Sequence, residues 1–335
     1  MKIGISGYFG YMNFGDELFL KTWKQLFYEH QVHAIQSYED INNLDVIIVG
    51  GGDLLIPSTF TSAYWRQEFL NKPTYVYGIG VPSQLPLNDK SKAEYKEFFS
   101  KCNLVATRDK VSGEYLQENE IYENPEVVED VAFGYKNPGI KISKFNKITV
   151  GLSIRPNPHF RFADMVNLAC HICSRGFELL LIPLQPAADP MWRDDNMHHM
   201  LKQRVEYRVK GAVVNVTPEN IDVDHRWAMI GACNYFVSMR MHGVVASLLQ
   251  GVPCIVLGDS NKFPRIMEKF GMGDFCKSYL DKDFIQTFEK LIDNQTKLPD
   301  LKDHAAYLKT KALGELIKFK QQVLSECSHK QEEEK

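Results

Sequence analysis

Basic residues recur in this sequence just beyond runs that read as buried strands. Arg240 and His242 lie in "VSMRMHGVVASLLQGVP", where an apolar run gives way to a helical pattern that ends at Gly-x-Pro. The start of a helix offers unbonded backbone N–H groups and the positive end of a dipole. Arg240 adds a full charge, and His242 adds a group that ordinarily titrates near neutral pH. The pair suits an anionic ligand and a proton-transfer step; the alternative is a capping histidine beside a surface arginine. Arg155 ends the run "GLSIRPNP", and Lys262 follows another in "GDSNKFPRIM". A guanidinium at such a strand end is either solvated or a bidentate clamp for a carboxylate or phosphate.

Two glycine clusters carry the polar candidates of the first half. "GYFGYMNFGDELF" places Gly7, Gly10 and Gly15 after the first strand-like run. This is not the G-x-G-x-x-G spacing of dinucleotide sites, and Asp16 and Glu17 would repel a pyrophosphate at the helix start. Asn13 is the residue there that could hydrogen-bond a polar ligand, against a plain capped turn. "VGGGDLL" places Asp53 after three glycines, at the carboxyl end of a strand, where open α/β sheets bind ligands. A tight-packing turn is the alternative for that cluster.

The elements that must position these residues follow from periodicity. Apolar runs begin at Lys2, Asp45, Thr74, Asn103, Lys147, Phe177, Ala212, Asn234 and Pro253. Runs apolar on both faces suit strands buried in parallel sheets. Helical stripes lie between them: Phe19, Trp23, Leu26 and Phe27, then Met165, Leu168, Ala169 and Ile172. Such alternation implies doubly wound α/β units. The linker-like stretch "FGYKNPGIKISKFNK" separates two complete series. The expected organisation is therefore two Rossmann-like domains facing across a cleft, over residues 1–140 and 146–300. A closing helix over 301–325 and a polar tail over 326–335 complete the chain.

A length of 335 residues fits two domains, and 24% charged residues with 44% hydrophobic residues is ordinary for a soluble globular protein. A formal net charge of -3 gives no sign of general nucleic-acid binding. No apolar run is long enough to span a bilayer, and "MKIGISGYFG" reads as a first strand rather than a signal peptide. The odd count of seven cysteines, without a secretion signal, reads as reduced thiols in a cytoplasmic protein. "CHIC", Cys170 to Cys173, has metal-ligand spacing but no second pair nearby, so no metal is expected. His198–His199 and the stripe of Lys90, Lys92 and Lys96 read as solvated helix faces.

Five segments in order, "GYMNFGDE", "VIIVGGGDLL", "ATRD", "GLSIRP" and "SMRMHGVVASLLQGVP", resemble the polysaccharide pyruvyl transferase family over roughly residues 1–272. The resemblance implies a fold like that of B-type glycosyltransferases. It also implies transfer of the pyruvyl group of phosphoenolpyruvate onto two hydroxyls of a sugar, as a cyclic ketal, with loss of inorganic phosphate. By this resemblance Arg155, Arg240 and Lys262 bind the donor and His242 serves in acid/base catalysis. Asn13 and Asp53 face the acceptor, with Asp53 a further candidate base. The sugar acceptor that the resemblance implies is a saccharide, with lipid-linked, polymeric and free forms all open. A lipid-linked acceptor would bring the protein to the inner face of the membrane as a peripheral partner, although no amphipathic anchor is evident. Beyond phosphoenolpyruvate as a substrate no cofactor is called for. The segment "LQPAADPMWRDD" resembles a family loop without an assigned residue role. One departure is that Asp53 stands where the family commonly has a fourth glycine. Two other readings stay open: a nucleotide-sugar-dependent glycosyltransferase of the same fold, and a non-catalytic sugar- or anion-binding protein.

Overall fold

The computed structural model describes residues 1–36, 40–61, 63–81, 87–186 and 193–333. Contacts divide the chain into two compact units. The first holds Met1–Gly10, Asp16–Lys136 and Leu308–Lys335; the second holds Tyr11–Gly15 and Asn137–Tyr307.

In the first unit the chain runs β1 (Lys2–Ser6), α1 (Phe14–Leu26, whose first two residues belong to the second unit), β2 (Gln31–Ala34), β3 (Val46–Gly52), β4 (Thr74–Ile79), α2 (Asp89–Ser100), β5 (Leu104–Thr107), α3 (Lys110–Glu118) and β6 (Glu126–Val127). Among the described residues these strands form one six-stranded parallel sheet of order β2-β1-β3-β4-β5-β6. β3 and β4 are buried at every position, as the apolar runs require. At the end of β3 the backbone of Gly51 has φ +91°, and an added Cβ would lie 2.6 Å from the Phe19 ring. A glycine there lets α1 lie close on the sheet.

The second unit contains β7 (Thr149–Ser153), α4 (Phe162–Ser174), β8 (Glu178–Leu181), α5 (Asp195–Arg208), β9 (Val214–Val216), α6 (Val223–Ala232), β10 (Tyr235–Ser238), α7 (Met241–Leu249), β11 (Cys254–Leu257), α8 (Lys262–Lys269), β12 (Cys276–Lys277) and α9 (Phe284–Asp293). Its described strands form a second six-stranded parallel sheet, of order β12-β11-β10-β7-β8-β9. The chain leaves β7 toward β8 and β9 on one side, then returns to build β10, β11 and β12 on the other. The reversal falls between β7 and β10, where Ser153 pairs in register with Ser238. In the first sheet the corresponding reversal falls between β1 and β3.

The last helix, α10, runs from Leu301 to Glu333 and so continues past the expected end at residue 325. The physical reason is a buried stripe that persists: Leu308, Ala312, Leu316, Phe319, Val323 and Cys327 recur at spacings of three and four. From Leu308 onward α10 packs on the first unit. Phe319 meets the rings of Trp23, Tyr75 and Tyr77 at centroid distances of 5.8, 5.7 and 4.3 Å. Glu326 accepts hydrogen bonds from the Tyr75 hydroxyl at 2.7 Å and the Asn103 amide at 2.9 Å. Among the described residues no helix is long and apolar enough to cross a membrane.

Truncating Phe319 should therefore empty an aromatic box rather than trim a free helix. Phe319→Ala is expected to destabilise the protein by about 3–5 kcal/mol, read from the midpoint shift in urea unfolding at unchanged m-value.

Candidate functional site

Ligands of open α/β sheets bind beyond the carboxyl ends of the strands, at the point where strand order reverses. In the second unit that point is framed by the residues after β7 and β10. Arg155 lies two residues beyond β7, and Arg240 lies two beyond β10, at the N-cap of α7. Ser238 turns the chain there: its hydroxyl accepts from the Arg240 N–H at 3.0 Å and donates to the Arg240 carbonyl at 2.8 Å. Arg240 makes no side-chain cap bond to the helix. The Nε of Arg155 and the hydroxyl of Ser153 are buried and have no hydrogen-bond partner among the described residues. Each such donor costs about 1–3 kcal/mol unless something pairs with it. Two of them at the sheet's reversal mark where an anion can bind.

Arg240 is held from behind. Its Nε and Nη2 donate to the two carboxylate oxygens of Asp194 at 3.2 and 2.5 Å, and its Nη1 donates to Gln185 Oε1 at 2.6 Å. Asp194 is wholly buried. Its Oδ2 also accepts from the backbone N–H groups of Leu184 and Gln185, at 3.1 and 3.0 Å. Sequence reasoning quoted this loop without giving either residue a role, because the partners are far apart along the chain. Residues 187–192 of the loop lie outside the described residues.

His198 corrects an expectation. It is not on a solvated face but fully buried, while His199 beside it is exposed. Its Nε2 accepts from the Ile154 N–H at 3.2 Å, and its Nδ1 faces the Asp194 carbonyl at 2.7 Å. Nε2 must accept and Nδ1 must donate, so the ring is neutral with its proton on Nδ1. Burial, chiefly, lowers the His198 pKa from its ordinary value, and the nearby Arg240 charge acts the same way; Asp194 opposes both. His198 thereby ties the end of β7, which carries Arg155, to the residue that holds Arg240. The missed signal was the spacing Asp195, His198, Leu201, Val205, which is the buried stripe of α5.

Asn13 and His242 meet the same network through the segment Tyr11–Gly15, which packs in the second unit. Asn13 Nδ2 donates to Gln185 Oε1 at 3.3 Å, and Asn13 Oδ1 accepts from the Gly15 N–H at 3.0 Å. The Phe14 N–H donates to the Leu184 carbonyl at 2.8 Å. His242, in the first turn of α7, stacks so close to Gly15 that an added Cβ would lie 2.0 Å from its Nδ1. Lys262 opens α8 beyond β11, the strand next to β10. Asn13, Arg240 and His242 are thus brought together through shared contacts, with Arg155 joined by His198; Lys262 stands one strand away.

Asp53 belongs to the first unit, beyond β3 at that sheet's own reversal. Its carboxylate is ion-paired with Arg108, whose side chain is 4% exposed. Asp130 and Asp109 lie 3.8 and 3.9 Å from the same guanidinium. Burial works against the Arg108 charge, but Asp53, Asp130, Asp109 and Asp16 outweigh it and leave its pKa raised. Asp109 also caps α3 through the Ser112 N–H at 2.8 Å. This explains "ATRD" locally: one residue pins the β3 end, the next starts a helix. Cys170 and Cys173 share a turn of α4, and no group of three or more His, Cys, Asp or Glu suited to a metal occurs among the described residues.

The family model for polysaccharide pyruvyl transferases matches residues 13–261, a span holding Asn13, Asp53, Arg155, Asp194, Arg240 and His242. The chain belongs to the polysaccharide pyruvyl transferase family. Membership makes it a member of a transferase family and agrees with the resemblance of its motifs. No curated protein matches the chain in sequence. Several solved structures share its fold. HepE from Anabaena in complex with UDP-glucose is 12% identical, with a TM-score of 0.59 over 97% of this chain and 100% of that one. A glycosyltransferase from Rickettsia africae is 9% identical, with a TM-score of 0.59 over 97% and 98% of the two chains. The UDP-GlcNAc 2-epimerase from Neisseria meningitidis bound to UDP-GlcNAc is 11% identical, with a TM-score of 0.57 over 97% and 100%. The α/β fold of B-type glycosyltransferases and such epimerases, with two parallel sheets, is the fold of this chain.

Because His198 is neutral in the fold and its pKa is lowered there, unfolding takes up a proton in acid. Its stabilising contribution is present above about pH 6.5 and is lost as pH falls below that value toward the folded pKa. His198→Gln should flatten the loss of stability between pH 7 and 5 relative to wild type. The limit is about 1.4 kcal/mol per pH unit for one proton, measured by urea unfolding at each pH.

Proposed function

We propose that this chain moves the pyruvyl group of phosphoenolpyruvate onto two hydroxyls of a sugar, forming a cyclic ketal and releasing inorganic phosphate. The observation that carries the reading is the pair of buried donors, Arg155 Nε and Ser153 Oγ, without a hydrogen-bond partner among the described residues at the reversal of the second sheet. Ser153 ends the strand that pairs with β10, and Arg155 follows two residues on; the end of β10 leads into α7. Family membership supplies the reaction class. Phosphoenolpyruvate carries a carboxylate and a phosphate, and a helix start with basic side chains is suited to both. Arg155 and Lys262 supply charge on this reading, and Arg240 supplies directed hydrogen bonds.

The chemistry divides as follows. A proton is added to the methylene carbon, leaving positive charge at the neighbouring carbon that bears carboxylate and phosphate. A sugar hydroxyl attacks that carbon and gives up its proton. The C–O bond to phosphate then breaks, the phosphate keeps the electron pair, and a second hydroxyl of the same sugar closes the ketal, losing its proton in turn. On this reading His242, in the first turn of α7 and against Gly15, makes these transfers. Asn13, in the same network, is suited to a sugar hydroxyl. Asp53, committed to Arg108, is better fitted to hold its loop than to serve as a base. The acceptor is a saccharide, polymeric or carried on a lipid.

A second reading, a glycosyltransferase that uses a nucleotide sugar, is favoured by the UDP-glucose and UDP-GlcNAc in the solved structures that share the fold. Donor identity separates the two. In a thermal-shift comparison, phosphoenolpyruvate should raise the melting temperature of wild type and not of Arg155→Ala, whereas UDP-sugars should leave both unmoved. A shift with a UDP-sugar alone would replace this reading with the second. In phosphate-release assays with a saccharide acceptor, His242→Ala should lower kcat by about 10²–10⁴-fold. Arg155→Ala should raise KM for phosphoenolpyruvate by about 10- to 100-fold, the range for losing a charged hydrogen bond.

A further inference from the structure

The geometry points to Asp194 as the positioning residue of the anion site: it cancels the charge of Arg240 and fixes its aim, so that bound anions meet one net positive charge fewer than the arginines suggest. This rests on the reading of the β7–β10 reversal as the donor site.

The argument begins with the shape of the contact. Asp194 takes the Nε edge of the guanidinium with both carboxylate oxygens, and Gln185 takes Nη1. Side-on pairing of this kind leaves the guanidinium plane a single orientation. Asp194 itself cannot follow a moving arginine. Its Oδ2 is held by the N–H groups of Leu184 and Gln185, and its backbone carbonyl faces Nδ1 of His198, whose other nitrogen accepts from Ile154. The carboxylate is therefore anchored to β8's exit loop, to α5 and to the end of β7 at once. The side chain of Arg240 is 13% exposed and that of Asp194 is 0% exposed, so water screens the pair little.

Charge and direction are thus separated between the two arginines. Arg155 has no ion pair among the described residues, so its charge faces a ligand uncancelled. Arg240 presents oriented N–H groups without net charge from the pair. Such a division has a use in a reaction that consumes one phosphate ester and liberates free phosphate. Two uncompensated arginines would hold the product as firmly as the donor; one arginine and one oriented, neutralised pair hold it less.

Asp194→Asn separates these roles. The amide oxygen in the place of Oδ2 can still accept from Leu184, Gln185 and Arg240 Nε, but an NH2 group replaces Oδ1 opposite Nη2, so the guanidinium keeps its full charge and loses its fixed aim. Titration calorimetry of the full chain with inorganic phosphate is the test, beside kcat for phosphate release from phosphoenolpyruvate. The expected result is phosphate affinity at least threefold tighter than wild type and kcat at least tenfold lower. Unchanged or weaker phosphate binding by the folded variant overturns the proposal. Should Asp194→Asn fail to fold, the double variant Asp194→Asn with Arg240→Gln removes both charges and leaves none unpaired. Its phosphate affinity should fall through the lost N–H groups, while the salt dependence of that affinity stays as in wild type; a shallower salt dependence would mean that the Arg240 charge reaches the anion, and the proposal falls. If wild type turns over no phosphoenolpyruvate, pyruvyl transfer fails as the function, while the phosphate titrations still decide the role of Asp194.

Discussion

A carboxylate with no exposed surface governs the second unit. Removing an ion from water costs several kcal/mol even after relaxation, roughly, and the cost is recovered only if every lone pair finds a donor. Asp194 satisfies that demand with two backbone N–H groups and two guanidinium N–H groups. Each donor fixes something else in turn. The backbone donors set the path of the loop after β8, and the guanidinium sets the start of α7. Through His198 and Ile154 the same residue reaches the end of β7. Three strand ends are thereby held in register at their carboxyl side, where side-chain packing alone would leave loops free to drift.

Sheet order decides why these particular ends matter. In both units the strands are parallel and the order reverses once, between β1 and β3 in the first and between β7 and β10 in the second. Loops that leave neighbouring strands in opposite directions open a space that no helix covers. The polar residues of each unit gather there. In the first unit, Asp53 is ion-paired there with the buried Arg108. In the second, the Ser153 hydroxyl and Arg155 Nε are buried without a hydrogen-bond partner among the described residues; Arg108 Nε shares that condition, but its guanidinium is already ion-paired, whereas Arg155 has no ion pair among those residues.

Much of this was legible from residue order, and the exceptions have causes. All nine apolar runs became strands, because a strand buried on both faces must be apolar throughout. The three strands not anticipated, β2, β6 and β12, include partly exposed edge strands, and β6 and β12 are two residues long. An edge strand needs no continuous apolar run. The basic residues at strand ends were visible for the same reason that the strands were. Their partners were not: Asp194 and Arg240 are 46 positions apart, and nothing local marks an aspartate that will be buried. His198 was misjudged because a histidine pair on a polar helix suggests solvent, whereas the face of α5 that carries Asp195, His198, Leu201 and Val205 is buried although half of it is polar.

The five residues Tyr11–Gly15 sit between β1 and the bulk of α1 of the first unit, yet they complete the second. Gln185 receives the amide of Asn13, and His242 lies against Gly15. The two α/β units are therefore not interchangeable modules. A recombinant hybrid that joined the first unit of one family member to the second of another would carry a foreign pentapeptide beneath its own histidine. Exchange of such halves is constrained to partners whose Tyr11–Gly15 segment already fits the second unit, so that segment and the residues it meets there form one inherited piece although Tyr11–Gly15 and Asn137 onward are far apart along the chain.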